Sequence, residues 1–453
     1  MSDTLMRSVS GVRGIVDRDL TADVVARYAG VFGRLVTTDE RRAVVLARDS
    51  RESGPGFAAA VREALLAVGS DVVDCGMIPT PTAQLAVEHH RAAGGIIVTA
   101  SHNPVEWNAL KFVGQDGLFL DAGTIARLFE LVDSDEPDTA AAADGAQVHA
   151  DDDAVERHIE AVLELPYVDA DRIRARGFTV ALDCVRGVGG VILPQLLERL
   201  GCSVVGIDLE PDGRFPRAPE PVPENLGSLA EAVRGSGADV GMAADPDADR
   251  MALVDETGRA IGEDYTLALG VRAVLQERVG PVVVNLSTSL VVDDVAREFG
   301  AELHRAPVGE ANVAHAMRRV GAVVGGEGNG GVMLPELHLG RDAPLAAALV
   351  LGLLARGGRT VRGLVDGAPR YTIVKAKAPR GGDLSSAYAA LKREFAGAEP
   401  DRQDGLRLAW PDRWLHVRPS GTEPIVRLIA EAPTAADAEG LVAAARTVLG
   451  GER

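Results

Sequence analysis

Short β-branched apolar runs recur along this chain, and each is followed by a loop and then a helical pattern. Ala43–Ala47, Asp71–Cys75 and Gly95–Val98 set the rhythm; Thr179–Asp183, Ser203–Leu209, Asp239–Ala244, Val282–Leu286 and Ala322–Val324 continue it. Runs so short and apolar predict buried strands, and their alternation with helices predicts α/β units on largely parallel sheets. In open sheets of this kind ligands gather in the loops at strand ends. At 453 residues the chain is also too long for one core, and roughly three or four domains is the ordinary division.

Charge narrows the choice of partners. The formal net charge is -19, with 66 acidic residues against 47 basic ones. That balance argues against a nucleic acid or an anionic membrane as partner. No apolar run approaches a membrane span, and Met1-Ser2-Asp3-Thr4 has no signal character. Cys75, Cys184 and Cys202 are scattered, so a reducing cytoplasm is expected.

Several loops stand out. Thr99-Ala100-Ser101-His102-Asn103-Pro104 places a hydroxyl at the end of the Gly95–Val98 strand, and Lys111 lies shortly beyond it. Taken alone it also reads as an ordinary turn. Ser10-Gly11-Val12-Arg13-Gly14 brackets Arg13 with two glycines, a setting in which a guanidinium can clamp a phosphate. Asp245, Asp247 and Asp249 crowd one short loop that ends at Arg250. Two like charges about 4 Å apart repel by roughly 4 kcal/mol at an effective dielectric near 20. All-oxygen ligands point to a hard ion, Mg²⁺ or Ca²⁺. An EF-hand is excluded, because Arg250 stands where that loop needs Gly, Leu253 takes a ligand position, and the flanks read as strands.

Gly326, Gly328 and Gly331 match a dinucleotide fingerprint, but Val332-Met333-Leu334-Pro335 is no helix start. That loop is better suited to present Glu327 and Asn329 to a hydroxyl-rich ligand. Arg418-Pro419-Ser420-Gly421-Thr422-Glu423-Pro424 gathers a charge, two hydroxyls and a Gly amide. Such a loop can cradle a phosphate, and Arg427 stands close enough in sequence to add to it.

With these motifs in one order, the chain resembles the α-D-phosphohexomutase family over nearly its whole length. The motifs are Ser10–Gly14, Thr99–Pro104, Asp245–Arg250 and Arg418–Pro424, with the sugar loop at Gly325–Gly331. The resemblance implies three similar α/β domains with mixed sheets and a smaller α+β fourth domain around a central cleft. The expected units are 1–150, 151–255, 256–367 and 368–453, with the solvated stretch 134–153 as a linker. It implies a phosphate on Ser101, Mg²⁺ held with Asp245, Asp247 and Asp249, and exchange through a hexose 1,6-bisphosphate. Arg13, Lys111 and Arg250 would surround the transferred group, with Lys111 as acid or base. His102, Glu327 and Asn329 would meet the sugar. Arg418, Ser420, Gly421, Thr422 and Arg427 would hold the other phosphate, and rotation of the fourth domain would open the cleft. The expected partner is a small phosphosugar, the expected assembly a monomer or homodimer.

Two departures bear on the reaction. Many members place a His where this chain has Gly331, so a proton-transfer role for that His does not carry over. Asn329 replaces a common Ser. This Gly-Glu-Gly-Asn-Gly-Gly loop resembles the phosphoglucosamine mutase branch most. Glucose or mannose phosphate activity is the alternative, and a silent sugar-phosphate-binding protein the remote one.

Overall fold

The computed structural model describes residues 5–134, 145–380, 384–420 and 425–450. The first unit is one seven-stranded sheet. Its strands are β1 (Met6–Ser8), β2 (Gly11–Ile15), β3 (Ala43–Arg48), β4 (Asp71–Met77), β5 (Gly94–Val98), β6 (Trp107–Gly114) and β7 (Val148–Ala150). Their order is β1-β2-β6-β5-β3-β4-β7. Along β3, Val44 and Leu46 enter one apolar cluster while Val45 and Ala47 enter another on the opposite face. Both faces are therefore covered, and this is why the strand reads as an unbroken apolar run.

The second unit holds β8 (Thr179–Asp183), β9 (Ser203–Ile207), β10 (Val240–Ala244) and β11 (Met251–Val254). The third holds β12 (Val282–Asn285), β13 (Leu303–Ala306), β14 (Val324–Glu327) and β15 (Gly331–Met333). Side by side, the three sheets repeat one design, β6-β5-β3-β4, β11-β10-β8-β9 and β15-β14-β12-β13. Three strands run parallel in each, and the last-formed strand returns antiparallel beside the third. The expected mixed sheets are thus present. The sequence shows no repeat because strand order and polarity recur while side chains do not. Each return turn carries a chemically distinctive loop: Ser101 after β5, the three aspartates after β10, and the glycine-rich loop after β14.

Units two and three share one apolar core. The helix Ala343–Gly357 lies within it, buried nearly all round. The fourth unit is an antiparallel sheet of β16 (Thr372–Pro379), β17 (Glu399–Asp401), β18 (Leu406–Trp410), β19 (Arg413–Pro419) and β20 (Ile425–Ala432), ordered β16-β20-β19-β18-β17. It has a core of its own. We propose unit boundaries at 150/151, 255/256 and 367/368.

Two expectations need correction. The stretch 134–153 is not simply a linker: residues 135–144 lie outside the described set, but Val148–Ala150 extends the first sheet beside β4. Gly325, Gly326 and Glu327 belong to β14 rather than to a loop, because they pair with Met333, Val332 and Gly331.

Candidate active site

Ser101 sits at the mouth of β5 in a strained turn, with φ of 48°. A residue with a Cβ is disfavoured there, and such strain persists only where the surroundings hold it. Arg51 supplies the hold. Its Nη1 donates to the carbonyls of Pro104 and Trp107 at 2.7 and 2.9 Å, and its Nη2 to those of Ser101 and Asn103 at 2.7 Å each. Its Nε donates to Asp49 at 3.1 Å, and Asp49 accepts from the Thr99 hydroxyl at 2.7 Å.

The strand ends bring Ser101 to the second unit's loop. The Ser101 Oγ donates to Asp245 at 3.0 Å and lies 3.4 Å from the His102 Nδ1. Asp245, Asp247 and Asp249 are all buried, and one oxygen of each falls within 4.8 Å of the others. Cations from three directions meet them. Lys111 Nζ is 2.6 Å from Asp247 and 3.8 Å from Asp249. Arg250 lies 3.0 Å from Asp245 and 3.5 Å from Asp249. Arg341 donates to Asp249 at 2.5 Å, to Glu310 at 3.0 Å and to Glu327 at 3.0 Å.

These charges do not balance. Five carboxylates (Asp245, Asp247, Asp249, Glu310, Glu327) face three cations. Burial, with Asp249 adding to it, pushes the Asp245 carboxyl up to about 8. Burial opposes charge on Lys111 also, but Asp247 and Asp249 overcome it and hold the ammonium above its ordinary value. A divalent cation would supply the missing charge, and the donor set fits one. Asp247 and Asp249 each anchor Oδ2 on a cation and leave a buried Oδ1 without a hydrogen-bond partner. All-oxygen donors suit Mg²⁺.

The glycine-rich loop closes on this centre. Gly330 has φ of +91°, and a Cβ there would come within 2.2 Å of the Met251 carbonyl oxygen on β11. Close packing on the neighbouring unit thus accounts for this glycine, which stands just before the third glycine of the fingerprint. The third glycine of the fingerprint opens a strand, not a helix. Glu327 accepts from Asn285 Nδ2 at 2.8 Å and from the Gly309 amide at 2.9 Å. Arg13 donates to Asn103 at 2.7 Å.

One cleft of about 740 Å³ joins these groups to the fourth unit, and Ser101, Arg13, His102, Lys111, Arg250, Glu327, Asn329, Arg418 and Arg427 all line it. There the register sets Lys377, Arg427 and Arg418 abreast on β16, β20 and β19. Like charges opposed across strands destabilise a sheet, so this row suits an anion. Arg418 also lies 2.9 Å from Asp404. Ser420 is buried beside the row; Gly421 and Thr422 lie outside the described residues.

The four family profiles match in order. Domains I, II and III of phosphoglucomutase/phosphomannomutase, each described as alpha/beta/alpha, match residues 5–138, 156–258 and 262–371, and the C-terminal domain matches 374–448. The chain belongs to this family. A phosphoglucomutase/phosphomannomutase of Thermococcus kodakarensis is 39% identical over 93% of each chain. A probable phosphoglucosamine mutase of Methanopyrus kandleri is 37% identical over 93% of each. Among solved structures, a family member from Burkholderia thailandensis superposes with a TM-score of 0.85 at 28% identity, covering 98% of both chains. Members of this family are isomerases that act by phosphoryl transfer, and this chain is one of them.

Sequence reasoning missed some of the groups that build this site. Arg51 appeared only as part of a loop, although a charged Asp-x-Arg directly after a buried strand is an unusual sequence. Lys375 and Lys377 also line the cleft, and two of the chain's scarce lysines on one edge strand were the available signal.

Proposed function

We propose that this phosphohexomutase interconverts the 6- and 1-phosphates of glucosamine through a phosphoserine at Ser101. The observation that supports this is one cleft with the Ser101 hydroxyl 3.0 Å from Asp245 at one end and the basic Lys377–Arg427–Arg418 row, suited to a second phosphate, at the other. The phosphoryl group leaves the Ser101 Oγ for a sugar hydroxyl, so one P–O bond breaks as another forms and, in net, the hydroxyl's proton replaces the phosphoryl group on the Ser101 Oγ. The bisphosphate then turns over in the cleft and returns its other phosphate to Ser101. Asp247 and Asp249, through the Oδ1 atoms that make no hydrogen bond, would hold Mg²⁺ with Asp245, and the ion would supply charge neutralisation at the transferring group. Lys111, held protonated, acts as general acid, while Arg13 and Arg250 bracket the phosphoryl oxygens and His102 lies alongside. Glu327 and Asn329 accept and donate to sugar hydroxyls. The non-transferred phosphate rests on Arg418, Arg427 and Ser420, with Gly421 and Thr422 adding to them as the sequence motif implies.

Several relatives carry the name probable phosphoglucosamine mutase, which supports the amino sugar. The Thermococcus relative favours a second reading, glucose and mannose phosphates. Either reading puts the enzyme in the cytoplasm, as a monomer or homodimer.

³¹P NMR with Mg²⁺ and a trace of hexose 1,6-bisphosphate decides between them. A new 1-phosphate resonance from glucosamine 6-phosphate alone, absent in Ser101→Ala, is the expected result. Equal conversion of glucose and mannose phosphates moves the enzyme to the second reading. No conversion of any by phosphorylated enzyme leaves only a sugar-phosphate-binding protein.

A further inference from the structure

Arg341 joins two loops that would otherwise have no cation in common. Its Nη2 meets Asp249 in the metal loop at 2.5 Å, its Nη1 meets Glu327 in the sugar loop at 3.0 Å, and its Nε meets Glu310 at 3.0 Å. Every nitrogen of the guanidinium is committed. Glu310 in turn accepts from Gln84 of the first unit at 2.9 Å. One side chain therefore fixes three units relative to each other at the edge of the cleft, which it also lines.

The same side chain explains Gly331. A Cβ at 331 would lie 2.3, 2.7 and 3.0 Å from Cδ, Cγ and Cβ of Arg341. Those are the inner atoms of a side chain whose head is pinned by three carboxylates, so it cannot swing aside cheaply. Arg341 and any side chain at 331, the position where many family members carry a His, compete for one space. Arg341 does not replace that His as a proton carrier. Although burial opposes its charge, the surrounding carboxylates keep it cationic far above neutral pH.

We propose that Arg341 is a positioning residue that locks the sugar-contacting Glu327 to the metal-loop Asp249, with Gly331 leaving the room it needs. One of its carboxylates thus belongs to each recognition task. Glu327 is held on one oxygen by Arg341 and on the other by Asn285 and Gly309. Asp249 is held by Oδ2, while its buried Oδ1 makes no hydrogen bond and lies 3.5 Å from the Arg250 Nε. Loss of the guanidinium frees both at once, so sugar affinity and Mg²⁺ affinity fall together.

This inference rests on the mutase reading, so wild-type turnover is measured first. Its absence sinks that reading and is distinguishable from any outcome in the variants. With an active wild type, Arg341→Gln and Gly331→Ala are each assayed for KM and kcat, and for Mg²⁺ requirement both in turnover and by titration calorimetry without substrate. Both variants raise KM and the Mg²⁺ requirement roughly tenfold, with a smaller change in kcat. Gly331→Ala added to Arg341→Gln costs nothing further, because a side chain no longer pinned by three carboxylates can swing its inner carbons aside. KM and Mg²⁺ requirement within twofold of wild type in Arg341→Gln, or additive effects in the double variant, overturn the proposal. Should Arg341→Gln fail to fold, Arg341→Lys, which keeps the charge but reaches one carboxylate, gives the same two shifts; unchanged constants overturn the proposal equally. Gly331→Ala, which alters no charge, provides the third reading.

Discussion

At the scale of the residue, the turn that carries Ser101 depends on one buried guanidinium that is paired completely. Arg51 is 1% exposed and spends its guanidinium on Asp49 and four main-chain carbonyls of the Ser101 turn. Burial pushes the Asp49 carboxyl up, and Arg51 opposes that shift. Removing one partner of such a pair strands the other. Arg51→Met is therefore expected to cost about 3–5 kcal/mol of stability in urea denaturation, and to abolish phosphorylation of Ser101 in whatever protein remains folded. Ser101, Lys111 and the aspartates were legible because their chemistry is concentrated in a few consecutive residues. Arg51 was not, since its partners are carbonyls up to 56 positions away, and every residue has a carbonyl.

At the scale of the element, the fourth unit is fastened by polar contacts rather than by shared apolar core. Glu431 on β20 accepts from the Leu290 amide at 2.8 Å and from the Ser289 hydroxyl, so it caps the helix Leu290–Glu298 of the third unit. Beside it, the His416 Nδ1 accepts from the Ser287 hydroxyl at 2.8 Å, and its Nε2 donates to the Asp404 carbonyl at 2.7 Å. That arrangement needs a neutral ring, and burial lowers its pKa from 6.5 to about 4. The unfolded chain binds this proton first as pH falls. The contribution is complete above 6.5 and is lost as pH drops from 6.5 to about 4, by ~1.4 kcal/mol per pH unit at most. Urea midpoints across this range should fall less in His416→Gln than in wild type. The Lys377–Arg427–Arg418 row belongs to this scale too. Sequence placed Arg418 and Arg427 in one neighbourhood, but only strand register sets them opposite each other, with Lys377 alongside.

At the scale of the whole molecule, two kinds of joint coexist. Units two and three are welded by a common apolar core, whereas the fourth keeps its own. A cleft whose far wall is attached by hydrogen bonds can open without exposing a core, as a bisphosphate that must turn over requires. The proposed metal site links metal to fold through the same centre. Mg²⁺ that binds the folded aspartates stabilises by mass action, so EDTA is expected to abolish turnover and lower the unfolding temperature, with Mg²⁺ restoring both. In Asp247→Asn the unfolding temperature should cease to respond to Mg²⁺.

The sequence by itself determined the fold class and the chemistry of the centre. Strands buried on both faces leave uninterrupted apolar runs, and the reactive groups lie in short loops where their types and spacing can be read directly. What only the tertiary structure decided is which of these loops face each other. The threefold recurrence of one sheet design, the carbonyl cage built by Arg51, the basic row across three strands and the contest between Arg341 and Gly331 all depend on residues distant in the chain. Each is fixed by strand order and by the space left between packed units, and neither quantity is local to any stretch of sequence.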